Sequence, residues 1–170
     1  MTVLMKIVTL LGEGGIIWIM IGLLLLVRKQ TRRTGVTVLL ALVFCLVFCN
    51  GVLKHVVARP RPCWRNPDLS MTGWIPKDFS FPSGHTASSF AAAACIFFRS
   101  RRGGTAALCL AALIAASRMY FYFHYPTDIL AGIVLGVLLA VLAERFMVFL
   151  EKRGIQNGRN GGYDGEGYKR

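Results

Sequence analysis

The sequence predicts an all-α fold, a polytopic membrane helical bundle of about five transmembrane helices. Hydrophobic residues make up 55% of the 170-residue chain, and only 16% of its residues are charged. A soluble domain carries about 25% charged residues. Several apolar runs also reach or approach the length of a bilayer span, and clusters of Lys and Arg lie between them. These observations exclude a disordered chain, a small disulfide scaffold and an ordinary soluble domain.

The predicted spans are the apolar segments 14–27, 36–53, 86–98, 105–117 and 126–149. Only the second and the fifth clearly meet the usual threshold of about 18 apolar residues. The other three can lengthen into their flanks, since terminal Arg side chains snorkel to the interface. A weaker apolar stretch over 1–11 is expected to lie along the interface. The membrane domain is therefore predicted over 1–153, and the Gly- and Asn-rich segment 154–170 is predicted to be a disordered cytoplasmic tail.

Basic clusters predict how the chain is oriented in the cell membrane. They follow the first, third and fifth spans, at 28–33, 99–102 and 152–153. The positive-inside rule makes this side cytoplasmic, so the N-terminus would lie outside. The outer side also carries basic residues, namely Lys54, Arg59, Arg61, Arg65, Lys77 and Arg118. Of these, Arg59, Arg65 and Lys77 are assigned to a surface that binds lipid headgroups, and the others to a functional site.

The net charge of +12 does not indicate a nucleic-acid partner. A nucleic-acid binder presents a basic stripe on a soluble fold, whereas these cations flank or interrupt apolar segments. The five cysteines follow no metal-binding or redox spacing, and Cys63 alone lies in a polar loop. No metal, cofactor or obligate protein partner is predicted.

A Pro-Ser-Gly-His segment, 82–85, directly precedes the third apolar run. Ser83 is suited to cap the helix that begins there, and the free N–H groups of a helix start favour an anion. Gly84 allows an anion to approach the backbone closely. The alternative is that this segment caps a helix and has no further role.

His124 and Asp128 are the second candidate pair. They are four residues apart, and Pro126 between them suits the first turn of a helix, so Asp128 can reach back to the imidazole. A carboxylate on one ring nitrogen fixes the tautomer and raises the basicity of the other nitrogen, as nucleophilic catalysis requires. The alternative is a buried His–Asp pair that holds two helix ends together.

Lys54, Arg61 and Arg118 are the candidate anion ligands. In the five-span arrangement they converge with the two histidines at the outer membrane surface, where cations repel one another unless an anion lies among them. Arg suits bidentate contacts with phosphate, and Lys suits a point-charge contact.

These segments match three signatures in order and spacing. The first is Lys54 followed by Arg61-Pro62, the second is the segment 82–85, and the third is Ser117-Arg118 with His124 and Asp128. The chain thereby resembles the type 2 phosphatidic acid phosphatase superfamily, which also contains bacterial acid phosphatases, glucose-6-phosphatases and vanadium haloperoxidases. No motif position departs from the pattern, and the start of the first span, Gly-Glu-Gly-Gly, is similar to that of small bacterial members.

The resemblance implies a role for each matched residue. His124 would attack phosphorus and form a phosphohistidine, with Asp128 orienting it, and His85 would protonate the leaving oxygen and then activate water. The phosphoryl oxygens would be held by Lys54, Arg61, Ser83, Gly84 and Arg118. Because phosphoryl transfer depends mostly on positioning and charge stabilisation, a metal-independent hydrolase is expected.

The resemblance also implies a lipid phosphate or diphosphate as substrate. The candidates are undecaprenyl diphosphate, phosphatidic acid and phosphatidylglycerol phosphate, and an outward-facing site favours the first. Two alternatives remain. A non-catalytic protein that binds anionic lipid would need the cations but not the two histidines, and the soluble, much larger vanadium haloperoxidases differ from this membrane-dominated composition.

Overall fold

The computed structural model describes residues 2–66 and 75–160, with side chains up to 153. The described helices are α1 (Thr2–Leu11), α2 (Ile16–Val27), α3 (Arg32–Cys45), α4 (Lys54–Val57), α5 (Pro62–Arg65), α6 (Gly84–Arg99), α7 (Arg101–Tyr120) and α8 (Pro126–Asn160). A 3₁₀ turn, Glu13–Gly15, joins α1 to α2, and a π-helical segment, Leu46–Leu53, joins α3 to α4. The predicted all-α membrane fold is confirmed.

Three described stretches are long and apolar enough to cross a membrane: Arg32–Arg65, Arg101–Tyr120 and Pro126–Arg153. The N-terminal pair Thr2–Leu11 and Glu13–Val27 is bent by 43° and becomes a fourth if it forms one span. Helix α6 has 16 residues, about 24 Å, whereas a hydrocarbon core is about 30 Å thick. A count of five spans therefore stays a prediction.

Helix α6 lies at the centre of the bundle, where it packs against α3, α7 and α8. Its buried face consists largely of alanine, and Ala87, Ala91 and Ala92 are fully buried. Small residues let helix backbones approach closely. Gly136 of α8 shows how closely, because a Cβ atom there would lie 2.4 Å from the Ala87 carbonyl oxygen. This packing holds the start of α6 firmly against the start of α8.

The alternating directions of the helices bring the motif-bearing segments to one end of the bundle. The π-helical segment, the start of α6, the end of α7 and the start of α8 all meet there. At the opposite end, Arg33 of α3 donates to Glu144 and Glu151 of α8, each at 2.6 Å. The π-helical segment has wider turns than an α-helix, and Cys45, Asn50 and Lys54 along this part of the chain face the site.

The N-terminal helix also belongs to this end of the bundle. Expected along the interface, α1 packs against α7, with the Thr2 hydroxyl 3.2 Å from that of Tyr120 and Thr9 accepting a hydrogen bond from Arg118 at 2.6 Å. At the other terminus, α8 continues to Asn160, within the predicted tail. Residues 161–170 lie outside the described residues, so the disordered tail stays a prediction.

Candidate active site

A cavity of about 730 Å³ opens at the end of the bundle where the motifs meet. Its wall includes the predicted residues Lys54, Arg61, Gly84, His85 and Arg118. The other three predicted residues, Ser83, His124 and Asp128, are buried at 0%, 4% and 0% exposure behind this wall. The structure therefore gathers all eight predicted site residues at one place.

His124 lies in the short connection between α7 and α8, with one side chain on each ring nitrogen. Its Nε2 is 3.1 Å from Nη1 of Arg61, and its Nδ1 is 3.6 Å from Oδ2 of Asp128. Because a guanidinium can only donate, Nε2 must accept, and the ring proton then resides on Nδ1, facing the carboxylate. This is the tautomer that leaves Nε2 with the lone pair of a nucleophile.

The surroundings of His124 also keep it neutral. Burial is the largest cause and, together with the positive charges of Arg61 and Arg118, lowers the pKa of His124 to about 3, although the Asp128 carboxylate acts in the opposite direction. The imidazole is therefore uncharged at neutral pH, as an attacking nitrogen must be.

Asp128 lies in the first turn of α8 and accepts hydrogen bonds from three donors besides facing the imidazole. Arg59 Nη1 donates to Oδ1 at 2.7 Å, the Tyr125 N–H donates to Oδ2 at 2.9 Å, and the Ser80 hydroxyl donates to Oδ2. The sequence reasoning left Arg59 out of the site, and these contacts correct that, because Arg59 is the cation on the Asp128 carboxylate. This residue lies two positions before Arg61, and its guanidinium also stacks 3.9 Å from the Tyr125 ring centroid.

Ser80 is a site residue that the sequence reasoning missed. It is fully buried, its hydroxyl contacts Asp128, and the same oxygen is 3.5 Å from His124 Nδ1. The available signal was its position, two residues before the Pro-Ser-Gly-His segment. Lys77, also placed on the lipid surface by the sequence reasoning, lies in the cavity wall.

Asp78 holds two of the predicted phosphate ligands. Its carboxylate accepts from Arg61 Nη2 at 2.7 Å and from Lys54, and its carbonyl oxygen accepts from Arg61 Nε at 2.7 Å. Burial raises the pKa of Asp78, but the hydrogen bond from Lys54 and the charge of Arg61 outweigh it and lower the pKa to about 2. The carboxylate is thus ionised at every working pH.

Arg118 has no carboxylate partner among the described residues. Nη1 donates to Thr9 at 2.6 Å, and the guanidinium lies 4.6 Å from the ring centroid of Phe123. Nε is buried and finds no hydrogen-bond partner within the described part of the chain. Because a buried donor without a partner is costly, we expect a ligand in the cavity to accept a hydrogen bond from Arg118.

The Pro-Ser-Gly-His segment forms the start of α6 as predicted. Ser83 is the N-cap, with its Oγ accepting from the Thr86 N–H at 3.4 Å and the Thr86 hydroxyl at 2.9 Å. Gly84 faces Asn50, whose Oδ1 would lie 2.7 Å from a Cβ atom on the glycine. The predicted capping role of Ser83 is therefore present, and its contact with phosphate stays a prediction.

His85 faces a carboxylate that the sequence reasoning did not assign to the site. Its Nε2 is 3.4 Å from Oε2 of Glu13, and both residues line the cavity. The 3₁₀ turn that carries Glu13 is sharp, with Gly14 and Gly15 at φ of 57° and 70°, a region that favours glycine. The Gly-Glu-Gly-Gly segment thus places the Glu13 carboxylate in the site.

The structure offers no set of metal ligands over the ranges that it describes, since no three His, Cys, Asp or Glu side chains are grouped there to hold an ion. Cys63 is buried with Phe121 and Phe123 in a small apolar cluster beside the site. Metal independence stays a prediction, to be tested with a chelator.

Comparison with known proteins identifies the family. The family model described as the PAP2 superfamily matches residues 15–152. An undecaprenyl-diphosphatase from Sulfolobus acidocaldarius is 33% identical over 129 residues, which cover 75% of this chain and 62% of that protein. A decaprenylphosphoryl-5-phosphoribose phosphatase from Mycobacterium tuberculosis is 29% identical over 133 residues, 78% of this chain and 73% of that protein.

A solved structure agrees with the sequence relatives. The crystal structure of a transmembrane PAP2-type phosphatidylglycerolphosphate phosphatase from Bacillus subtilis superposes with a TM-score of 0.68 at 27% identity, covering 84% of this chain and 74% of that one. The chain spans less than two thirds of the Sulfolobus relative. The names of these proteins support the prediction of a phosphatase.

Proposed function

Because the chain belongs to the PAP2 superfamily, we propose that it is an integral-membrane lipid phosphatase that acts through a phosphohistidine intermediate. One observation carries the proposal: His124 Nε2 lies 3.1 Å from Arg61, while Nδ1 faces the buried Asp128. The predicted nucleophilic atom is therefore next to a predicted phosphate ligand, in the tautomer that attack requires.

The first step transfers the phosphoryl group to the enzyme. Nε2 of His124 attacks phosphorus in line, so a P–N bond forms as the bond between phosphorus and the leaving oxygen breaks. Protonated His85 gives its proton to that oxygen. The imidazole becomes cationic with its proton on Nδ1, and Asp128 stabilises this charge. The phosphoryl oxygens are held by Lys54, Arg61, Ser83, Gly84 and Arg118.

The second step returns the enzyme to its starting state. His85 is now neutral and takes a proton from a water molecule, whose oxygen attacks phosphorus. The P–N bond breaks, inorganic phosphate forms and His124 becomes neutral again. Glu13 is placed to hold the His85 ring in both steps, since its carboxylate lies 3.4 Å from Nε2. The cations supply the charge stabilisation that a metal ion supplies elsewhere.

The cavity wall supports a lipid as substrate. Away from the cations, the wall becomes apolar, with Ile19 of α2 and Leu39 and Val43 of α3. Ile19 and Val43 are 40% and 53% exposed, on the outer surface of the bundle. A phosphorylated headgroup can therefore bind among the cations while its chain leaves between α2 and α3 into the bilayer.

We take undecaprenyl diphosphate as the first substrate to test, with phosphatidic acid and phosphatidylglycerol phosphate as the alternatives. The similarity to an undecaprenyl-diphosphatase supports this order. The site would face the extracytoplasmic side, because the basic clusters at 28–33, 99–102 and 152–153 belong to the other end of the helices. The membrane and the lipid phosphate are the expected partners.

The test is phosphate release by detergent-purified protein in the presence of EDTA, with each of the three lipids. The parent should release phosphate, and His124→Ala should release none while keeping the parent's elution volume and melting temperature. Substantial activity in His124→Ala would remove His124 from the role of nucleophile. Activity that EDTA abolishes and Mg²⁺ restores would contradict metal independence.

The same assay separates the alternative functions. A folded parent that binds anionic vesicles but releases no phosphate from any of the three lipids would favour a non-catalytic lipid-binding protein. Halide oxidation that depends on added vanadate would favour a haloperoxidase relative. Phosphate release with a clear preference for phosphatidic acid would reverse the order of substrates.

A further inference from the structure

The strongest unexplained contact in the cavity is that of Asp78 with two cations of the predicted phosphate site. Its carboxylate bridges the guanidinium of Arg61 and the ammonium of Lys54. One anion held by a guanidinium and an ammonium group is an arrangement expected of a bound phosphoryl group. Asp78 thus makes, from within the protein, the contacts that the proposed reaction assigns to the substrate.

The three side chains differ sharply in exposure. Arg61 and Lys54 are 3% and 11% exposed, whereas Asp78 is 52% exposed. Buried cations are costly without a counter-ion, so an empty site needs an anion beside them. Asp78 can supply this anion from the mouth of the cavity and can leave toward solvent when another anion arrives.

The backbone at Asp78 is held separately from its carboxylate. Arg61 Nε donates to the Asp78 carbonyl oxygen at 2.7 Å, and the next-but-one N–H, that of Ser80, donates to the Arg59 carbonyl oxygen at 2.8 Å. Neither bond uses the Asp78 carboxylate, so neither requires it to stay on its cations. The carboxylate can therefore exchange with another anion while the backbone of residues 78–80 stays beside His124.

We propose that Asp78 sets the phosphate affinity of the site by occupying the phosphate position until substrate displaces it. The inference rests on the proposed function, because it takes Lys54 and Arg61 as phosphate ligands. Inorganic phosphate, which gains only the polar contacts, must break both ion pairs of Asp78 and binds weakly. A lipid phosphate gains apolar contacts along α2 and α3 as well, so it displaces Asp78 more readily than the product does.

The charge of Asp78 stays the same over the pH range of the assay. Of the charged groups that face it, Lys54 and Arg61 hold its pKa near 2, and Glu13 lies farther along the cavity wall with His85. The carboxylate is ionised throughout the range in which phosphatases are assayed. The Asp78 carboxylate therefore carries its full negative charge in every assay.

The test measures binding of inorganic phosphate by calorimetry to the detergent-purified full chain. Asp78→Asn keeps the size of the side chain and the backbone contacts but removes the negative charge. Its Kd for phosphate should fall by about three- to tenfold, the range that loss of partly exposed ion pairs gives. Glu151→Gln removes the same charge at the opposite end of the bundle, where Glu151 pairs with Arg33, and should leave the Kd unchanged.

The opposite result has a definite meaning. If Asp78 serves only to position Lys54 and Arg61, then Asp78→Asn will bind phosphate more weakly than the parent does, and the proposal is overturned. A Kd within twofold of the parent's value overturns it too, as does the absence of phosphate binding by both proteins. If the parent hydrolyses lipid but Asp78→Asn does not bind phosphate more tightly, only this inference is overturned. If Asp78→Asn binds phosphate more tightly but the parent hydrolyses no lipid, only the proposed function is overturned.

A second measurement uses only the parent and does not depend on the folding of a variant. Protein labelled with ¹³C at the aspartate carboxyl groups should show a shifted carboxylate stretch in the infrared difference spectrum when phosphate saturates the site. We expect this shift because the Asp78 carboxylate then leaves Lys54 and Arg61. An unchanged aspartate band at saturating phosphate would show that Asp78 stays in place, contrary to the proposal.

Discussion

Replacing Ser80 with alanine tests whether the carboxylate behind the nucleophile must be held in place. Ser80 is fully buried, and its hydroxyl donates to Asp128 Oδ2, the oxygen that faces His124. Ser80→Ala removes this donor without adding volume. Asp128 keeps its bonds from Arg59 and the Tyr125 N–H, so the carboxylate stays charged but loses one of the contacts that aim it at the imidazole.

The expected magnitude follows from the number of donors that remain. A hydrogen bond to a charged group contributes about 1.5–3 kcal/mol. If the whole of this energy acted on the transition state, kcat would fall by about 10- to 150-fold, at about 1.4 kcal/mol for each factor of ten. Because Arg59 and Tyr125 still hold Asp128, we expect the lower end, about tenfold. The KM should change little, since Ser80 does not line the cavity.

Ser89→Ala is the matched control for this variant. Ser89 is also fully buried, and it accepts a hydrogen bond from Trp18 Nε1 at 2.9 Å in the interior of the bundle. Both variants should lower the melting temperature, but only Ser80→Ala should lower kcat. Phosphate release measured at saturating lipid decides the matter. A kcat for Ser80→Ala within twofold of the parent's, or equal losses in the two variants, would refute the argument that Ser80 positions Asp128.

Three further predictions concern the charges around His124. Arg118→Lys should reduce kcat/KM about 100-fold or more although the charge at this position is conserved. The reason is that the planar guanidinium, which contacts Thr9 and faces the cavity, is lost. Kinetics equal to those of the parent would show that this guanidinium does not hold phosphate. Arg59→Gln should lower kcat by about tenfold or more, because Asp128 is then left buried without its cation. Arg65→Gln, at the exposed end of α5, should match the parent. The pH profile of kcat/KM should show no loss from protonation of His124 between pH 7 and pH 5, because the lowered pKa of His124 keeps the imidazole neutral over this range. A fall in kcat/KM near pH 6.5 that is assigned to His124 would contradict the effect of burial on this pKa.

Two parts of the site could be found because their contacts depend on short spacings along the chain. His124 and Asp128 are four residues apart, so the first turn of α8 brings them together whatever the rest of the chain does. The Ser83 cap and its neighbours lie at the start of α6 for the same reason. Length and hydropathy likewise predicted the membrane bundle, because these properties of a helix do not depend on its neighbours. The three predicted cations, Lys54, Arg61 and Arg118, lie far apart along the chain and were grouped by the three matched signatures.

The residues that the sequence reasoning missed act across long stretches of chain. Arg59 and Asp128 are separated by 69 positions, Ser80 and Asp128 by 48, and Glu13 and His85 by 72. Their contacts depend on how the helices pack and on the paths of the connections that carry Arg59, Ser80 and Glu13. The spacing of charges along the chain does not indicate how the helices pack. The role of Arg59 could therefore not be distinguished from the roles of the basic residues around it.

The two aspartates of the site explain why Arg59 and Arg61, two positions apart, have different tasks. The Arg59 guanidinium pairs with Asp128, a carboxylate that is completely buried and cannot be exchanged for an anion from the cavity. The Arg61 guanidinium pairs with Asp78, which is half exposed at the mouth, and also contacts His124 Nε2. Arg59 therefore balances the charge of the site permanently. Arg61 is the cation that can transfer from a protein carboxylate to a phosphate while remaining next to the nucleophile.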